Sequence, residues 1–163
     1  MKISKKIVLL GQFGVGKSSL LRRFLENVFE TDYKPTLGVQ IKKKMLDLPS
    51  GDKLSMIIWD LEGFMAIAKA RASYLLGSEG FIYVFDVTRP ITYENLEQEL
   101  DFIALKYNNV ALQVIGNKCD LENHDIAKNH LEKKGIMVHS YVSAKTGEGV
   151  QEVFTDLAKK LSK

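Results

Sequence analysis

Gly11-Gln12-Phe13-Gly14-Val15-Gly16-Lys17-Ser18 follows the apolar run Ile7–Leu10 and leads into Lys17–Glu26, where Leu20, Leu21, Phe24 and Leu25 are spaced for one helical face. The octet fits G-x-x-x-x-G-K-[ST] between a strand and a helix, the context a phosphate-binding loop requires. Its glycines let the loop curl, so that the N–H groups of Gly14, Val15, Gly16, Lys17, Ser18 and Ser19 can converge on phosphate oxygens. The helix N-terminus behind them adds partial positive charge. Lys17 would reach the β- and γ-phosphates, and the Ser18 hydroxyl would bind Mg²⁺. Such a cradle chooses neither base nor reaction, because kinases, ATPases and GTPases all use one.

Four later segments narrow the choice. Gly116-Asn117-Lys118-Cys119-Asp120 ends a strand-like run, and the Asp120 carboxylate can accept both N1–H and the 2-amino group of guanine, a fork that adenine does not offer. Ser143-Ala144-Lys145 follows the last strand-like run and can aim a backbone N–H at guanine O6. Trp59-Asp60-Leu61-Glu62-Gly63 closes another run, with Asp60 placed to hold Mg²⁺ through water and the Gly63 N–H to meet a γ-phosphate. Tyr33-Lys34-Pro35-Thr36 lies in the loop before the second strand, where Thr36 offers Mg²⁺ a further oxygen. Each alone reads as an ordinary turn. In series, each at a strand end, they are the parts of a GTP/GDP site with Mg²⁺.

The elements that must position these residues alternate. Strand-like runs at Ile7–Leu10, Phe81–Asp86, Val110–Gly116 and, more weakly, Ile136–Tyr141 are separated by helical patterns at Lys17–Glu26, Thr92–Lys106, Asp125–Lys134 and Gly149–Leu161. Val39–Leu48 and Leu54–Leu61 flank the turn Pro49-Ser50-Gly51-Asp52 and predict a hairpin. This is an α/β order, with a mostly parallel sheet, helices on both faces and ligands beyond the carboxyl ends of the strands. One domain over residues 1–163 is expected. A composition of 45% apolar and 26% charged residues suits a globular core and excludes disorder. No apolar run nears the ~20 residues that span a bilayer. A net charge of +3 without a basic motif argues against nucleic-acid binding. One cysteine, Cys119, forms no internal disulfide, and the four-residue run Ile7–Leu10 is too short for a secretory signal, so a cytoplasmic protein is expected. Lys42-Lys43-Lys44 falls on an expected sheet edge, where lysines discourage strand association.

Taken together, these motifs resemble the Ras superfamily of small GTPases, and Rab most closely, from about Lys5 to Leu161. Tyr33-Lys34-Pro35-Thr36-Leu37-Gly38-Val39 looks like Rab switch I, and Trp59-Asp60, Tyr74 and Gly77 through Asp86-Val87-Thr88 like switch II and the strand after it. The resemblance implies a P-loop NTPase G domain with a six-stranded sheet and five helices. It also implies that Phe29 packs against the guanine and that the stems of Lys118 and Lys145 flank it. Two switch loops, near 30–41 and 62–76, would order on GTP and meet effectors, exchange factors or activating proteins. A monomer or a weak switch-mediated dimer is expected.

Three departures stand out. After Asp60 the family usually has T-A-G-Q; here Leu61-Glu62-Gly63-Phe64 replaces the water-orienting glutamine with a phenyl ring. Glu62, where a small residue is usual, could repel the γ-phosphate, bind Mg²⁺, turn away or itself position water. Phe13 replaces a small residue and should obstruct an arginine finger. The chain stops at Leu161-Ser162-Lys163 without the usual C-terminal cysteine, so no lipid anchor is expected. The candidate catalytic set is Lys17, Thr36, Gly63 and Glu62. The expectation is a slow GTPase switch. The alternatives are a hydrolysis-deficient GTP/GDP-binding scaffold and, disfavoured by Asn117–Asp120 and Ser143–Lys145, a small-molecule kinase.

Overall fold

The computed structural model describes residues 2–31, 35–36, 38–64, 66–121 and 123–163. Tyr33, Lys34 and Leu37 of the expected switch I lie outside the described residues, as does residue 65 of switch II. The elements run β1 (Lys2–Leu10), α1 (Lys17–Glu26), β2 (Val39–Asp47), β3 (Lys53–Leu61), α2 (Ala72–Leu75), β4 (Gly80–Asp86), α3 (Leu96–Lys106), β5 (Ala111–Asn117), α4 (Asp125–Lys133), β6 (Ser140–Tyr141) and α5 (Val150–Leu161). Single 3₁₀ turns occupy Ile67–Lys69 and Pro90–Thr92.

The six strands form one sheet in the order β2-β3-β1-β4-β5-β6, and only the β2–β3 hairpin is antiparallel. Alternation along β1 sets the layers. Ile7 and Leu9 face α1 and α5, where Leu20, Phe24, Val153, Phe154 and Leu157 complete one core. Val8 and Leu10 face the other layer, with Phe81, Tyr83, Leu96, Ile103, Ala127 and Leu131. The Phe24 and Phe154 rings stack with centroids 4.0 Å apart and lock α1 against α5. The register sets Leu9 beside Asp60 and Asp86 beside Asn117, so the chemistry-bearing residues emerge at one carboxyl edge.

Three boundaries differ from expectation by more than one residue, each for a local reason. β1 starts at Lys2 rather than Ile7, because residues 2–6 pair with β3 alone and need no apolar side chains on a half-covered edge. The helix expected from Thr92 starts at Leu96. Thr92 instead belongs to the 3₁₀ turn, its Oγ1 accepting the Asp86 N–H at 2.9 Å and donating to the Asp86 and Arg89 carbonyls. β6 shrinks to two residues, because His139 Nδ1, not a backbone carbonyl, takes the Val114 N–H at 2.9 Å. α2 is one turn long and carries no readable periodicity. β2 is the sheet edge, as its lysines predict. No helix among the described residues is long and apolar enough to cross a membrane.

Candidate functional site

The loop between β1 and α1 is shaped by what holds its carbonyls. Lys17 Nζ reaches back to the Gly11 and Gln12 oxygens, both at 3.1 Å. Arg89 Nη1 takes Phe13 O at 2.9 Å, Lys118 Nζ takes Gly14 O at 2.7 Å, and Asn117 Nδ2 takes Val15 O at 3.0 Å. The Leu20 N–H takes Gly16 O at 2.8 Å. Every carbonyl from Gly11 to Gly16 thus has a donor, and a loop whose carbonyls are already engaged leaves its N–H groups to favour an anion. Gly16 has φ 101°, and a Cβ there would collide with the Asn117 amide, so only glycine fits. Lys17 is buried, and burial pulls its ammonium down to about 8, partly opposed by the Asp60 carboxylate.

Ser18, Thr36 and Asp60 meet, although they come from α1, the loop before β2, and β3. Ser18 Oγ and Thr36 Oγ1 are 2.6 Å apart, and Ser18 Oγ donates to Asp60 Oδ2. The other Asp60 oxygen, Oδ1, is buried with no hydrogen-bond partner among the described residues. Burial raises the Asp60 carboxyl above the usual carboxylate range, with Ser18 and Lys17 opposing. Three hard oxygens, one an orphaned buried carboxylate atom, are a donor set that fits Mg²⁺.

On the base side, Asn117 ties the loops together. Its Oδ1 accepts the Ala144 N–H at 3.1 Å while its Nδ2 holds Val15. Asp120 Oδ1 accepts the Ser143 hydroxyl at 2.7 Å, and Ser143 Oγ accepts the Thr146 N–H at 3.1 Å. The Lys118 ammonium sits 2.9 Å from the fully buried Asp86 carboxylate, and Lys118 adopts φ 69°, a left-handed conformation unusual outside glycine. The Asp86–Lys118–Gly14 chain links the ends of β4 and β5 to the phosphate loop.

The side formed by Glu62, Gly63 and Phe64 is built differently. Glu62 neither joins the oxygen trio nor bonds to the phosphate loop among the described residues. Its Oε2 accepts the Gly38 N–H at 3.3 Å, and its own N–H donates to Gly38 O at 2.9 Å. Of the roles open from sequence, turning away fits this clasp, which joins the ends of the two switch segments. Gly63 lies so close to Phe13 that a Cβ would strike the Phe13 backbone. Phe64 is 7% exposed, and its ring joins the core cluster containing Val8, Leu10, Ile67 and Leu75. Its N–H donates to Gly11 O at 3.3 Å. Surface drift therefore does not account for Phe64, since the side chain is part of the core. Phe13 is the reverse case, 49% exposed at the cavity rim.

These walls enclose a cavity of about 450 Å³, within the range of small-molecule sites. Gly14, Gly16, Lys17, Ser18, Ser19, Phe29, Thr36, Gly63, Asn117, Lys118, Asp120, Ala144 and Lys145 all line it. Four expected site residues, Val15, Asp60, Glu62 and Ser143, do not: Val15 is in the core, Asp60 and Ser143 act from behind through Ser18 and Asp120, and Glu62 holds Gly38. Arg22, Glu30, Thr31 and Leu121 line it unforeseen. An Arg22–Glu30 ion pair joins two of them, a pairing with no signature in spacing.

Comparison with known proteins agrees with this geometry. The Ras family model matches residues 6–163. Ras-related protein Rab-18 of Lymnaea stagnalis is 36% identical over 162 residues, covering 96% of this chain and 79% of that protein. Ras-related protein Rab-18-B of Danio rerio is 35% identical over 162 residues, covering 96% and 78%. Likeness of that extent, through every strand and both loops of the cavity, means that the chain belongs to the Ras family of small GTP-binding switch proteins and resembles Rab within it.

Proposed function

We propose that this GTPase works as a switch with slow intrinsic hydrolysis, in which nucleotide identity is read at one end of the cavity and chemistry is restrained at the other. The observation that carries the reading is the burial of Phe64. With its ring in the core and its N–H on Gly11, the position after Gly63 presents no side-chain group that could orient an attacking water.

Gly14 through Ser19 would hold the phosphates with their N–H groups, Lys17 would bring a positive charge, and Asp120, Ala144 and the Lys118 and Lys145 stems would take the guanine, with Phe29 against it. Ser18, Thr36 and Asp60 would hold Mg²⁺, which would supply neutralisation of phosphate charge. The Gly63 N–H would meet the γ-phosphate. The Glu62–Gly38 clasp supports a role for Glu62 in coupling the switch loops rather than in proton transfer. The segments near 30–41 and 62–76 would present the nucleotide state to effectors and regulators. A cytoplasmic setting is part of the reading, supported by Ile7–Leu10 forming the buried carboxyl-terminal end of β1.

Single-turnover GTP hydrolysis is the test. The wild type should turn over at or below the unassisted scale of ~10⁻⁴ s⁻¹, and Glu62→Ala should change that rate little. A fast wild type with a dead Glu62→Ala would make Glu62 the water-positioning group and refute the proposal. No detectable turnover at all would favour the scaffold alternative.

A further inference from the structure

We infer that Arg23 is a positioning residue for guanine recognition: one guanidinium in the last turn of α1 fixes both walls of the base pocket relative to each other. Arg23 neither lines the cavity nor bonds to any residue of the phosphate loop among the described residues. Its Nε donates to Ala144 O at 2.9 Å and its Nη2 to Lys145 O, gripping a segment of the cavity wall. Its Nη1 donates to Asn27 O at 3.1 Å and to Asn27 Oδ1 at 3.2 Å. Asn27 caps α1 in a left-handed conformation, φ 54°, with its own N–H on Arg23 O at 2.9 Å, and it is two residues before Phe29. Phe29, Ala144 and Lys145 all line the cavity.

The planar fork suits this task. A guanidinium offers five N–H groups in a fixed plane and so sets the angle between two carbonyl-bearing segments, whereas an ammonium acts as a point donor. Here one plane serves two segments far apart in sequence, Asn27 and Ala144–Lys145. The position where a Cβ of Gly147 would stand is 3.4 Å from Arg23 Cδ, so the loop also rests on the arginine stem. Loss of the fork frees Ala144–Lys145 and the Phe29 approach together, while Ser18, Asp60 and the captured carbonyls of the phosphate loop keep their own partners.

The inference rests on guanine being the base bound here, and the experiment separates the two. Release of a fluorescent GDP analogue is measured by displacement with excess GDP, and GDP, ADP and inosine diphosphate, which lacks the 2-amino group, are compared as competitors. These are run for the wild type, Arg23→Ala and Arg23→Lys, beside thermal unfolding. Arg23→Ala should release the analogue at least tenfold faster and narrow the preference for GDP over inosine diphosphate. The acceleration of release on chelating Mg²⁺ should stay as in the wild type. Arg23→Lys should fall between, since an ammonium can keep one carbonyl but not both segments. A lower melting temperature with unchanged release and unchanged preference would overturn the inference and leave Arg23 a structural residue. If Arg23→Ala does not fold, Arg23→Lys and Asn27→Gly carry the test, because glycine keeps the left-handed cap while removing the side-chain acceptor. A wild type that binds inosine diphosphate and ADP as well as GDP would remove the guanine reading itself.

Discussion

The two ends of the nucleotide cavity are built from different materials. At the base end, Asn117 holds the Val15 carbonyl and the Ala144 N–H, and Ser143 donates to one oxygen of Asp120. At the γ-phosphate end, the place of a polar catalytic group is taken by apolar packing at Phe64, and the neighbouring carboxylate is held by Gly38. Polar groups must be aimed to be useful, so the first end retains recognition. A buried ring needs only volume, so on the proposed reading the second end keeps a fold without a water-orienting side chain. Binding and hydrolysis are therefore separable in this molecule, and variants should separate them.

The largest effect should come from breaking the base end. Asp120→Asn should weaken GDP binding by up to two charge-assisted hydrogen bonds, each worth about 1.5–3 kcal/mol, and shift preference towards xanthine nucleotides, whose 2-oxo group can accept from the amide. Competition binding with GDP, xanthosine diphosphate and ADP measures it, and equal affinity of the wild type for ADP and GDP would undo the comparison.

Next in size is Phe64→Gln. Restoring a glutamine removes a core ring and buries an amide, so stability should fall by about 3 kcal/mol, read from urea unfolding. Hydrolysis should rise only in part. Phe13→Gly, Glu62→Ala, Phe64→Gln combined should hydrolyse faster than any single variant, and not additively, because Glu62 and Phe64 flank Gly63, which packs on the Phe13 backbone. Unchanged stability in Phe64→Gln would mean that the ring is not a core element.

Ser18→Ala should weaken nucleotide binding less, by about 1 kcal/mol, the scale of one hydroxyl hydrogen bond, and only when Mg²⁺ is present. Equal GDP affinity for wild type and variant at every Mg²⁺ concentration would remove Ser18 from the metal set.

The smallest effect lies beneath switch II. Glu99 is buried and its Oε2 accepts the Ile67 N–H at 2.7 Å and the Tyr83 hydroxyl at 3.1 Å. Burial pushes its carboxyl up, with the two donors opposing. A carboxyl raised in the folded state binds more protons there than in the unfolded chain, so its contribution is greatest below the ordinary value of about 4.3 and is lost as pH rises to the folded value. Glu99→Gln should flatten the stability–pH curve across that window and leave GDP affinity within about twofold. An unaltered curve would show the carboxyl to be unshifted.

Legibility followed locality. The phosphate loop could be read directly because its residue types and their spacing fall within eight consecutive residues, Gly11 to Ser18. α1, the hairpin and the strand-end placement of Asp60, Asn117 and Ser143 were equally plain, since periodicity and turn residues are local signals. The direction of the Phe64 ring was not. Leu61-Glu62-Gly63-Phe64 has no period, and a phenylalanine in a loop can face either way until the 3₁₀ turn and α3 close over it. The grips of Arg89 on Phe13 and of Arg23 on Ala144 join distant segments that no spacing rule connects. Glu99 sits in a helix where a glutamate ordinarily faces water, and only Tyr83 and Ile67 reveal it as an internal acceptor.

The captured carbonyls of residues 11–16 also bear on folding. Three of their donors, Arg89, Asn117 and Lys118, come from the second half of the chain, beyond β4 and at the end of β5. The signature stretch cannot therefore assemble its anion hole as an isolated β1–α1 unit, because two further strands must first dock in register. Nucleotide affinity then reports the integrity of the whole sheet. Bound nucleotide stabilises the folded state by RT ln(1 + [L]/Kd), acting on β5 as much as on the loop that touches the phosphates. Fraying of β5 alone would open the cradle from behind and release the ligand without disturbing the loop residues that hold its phosphates.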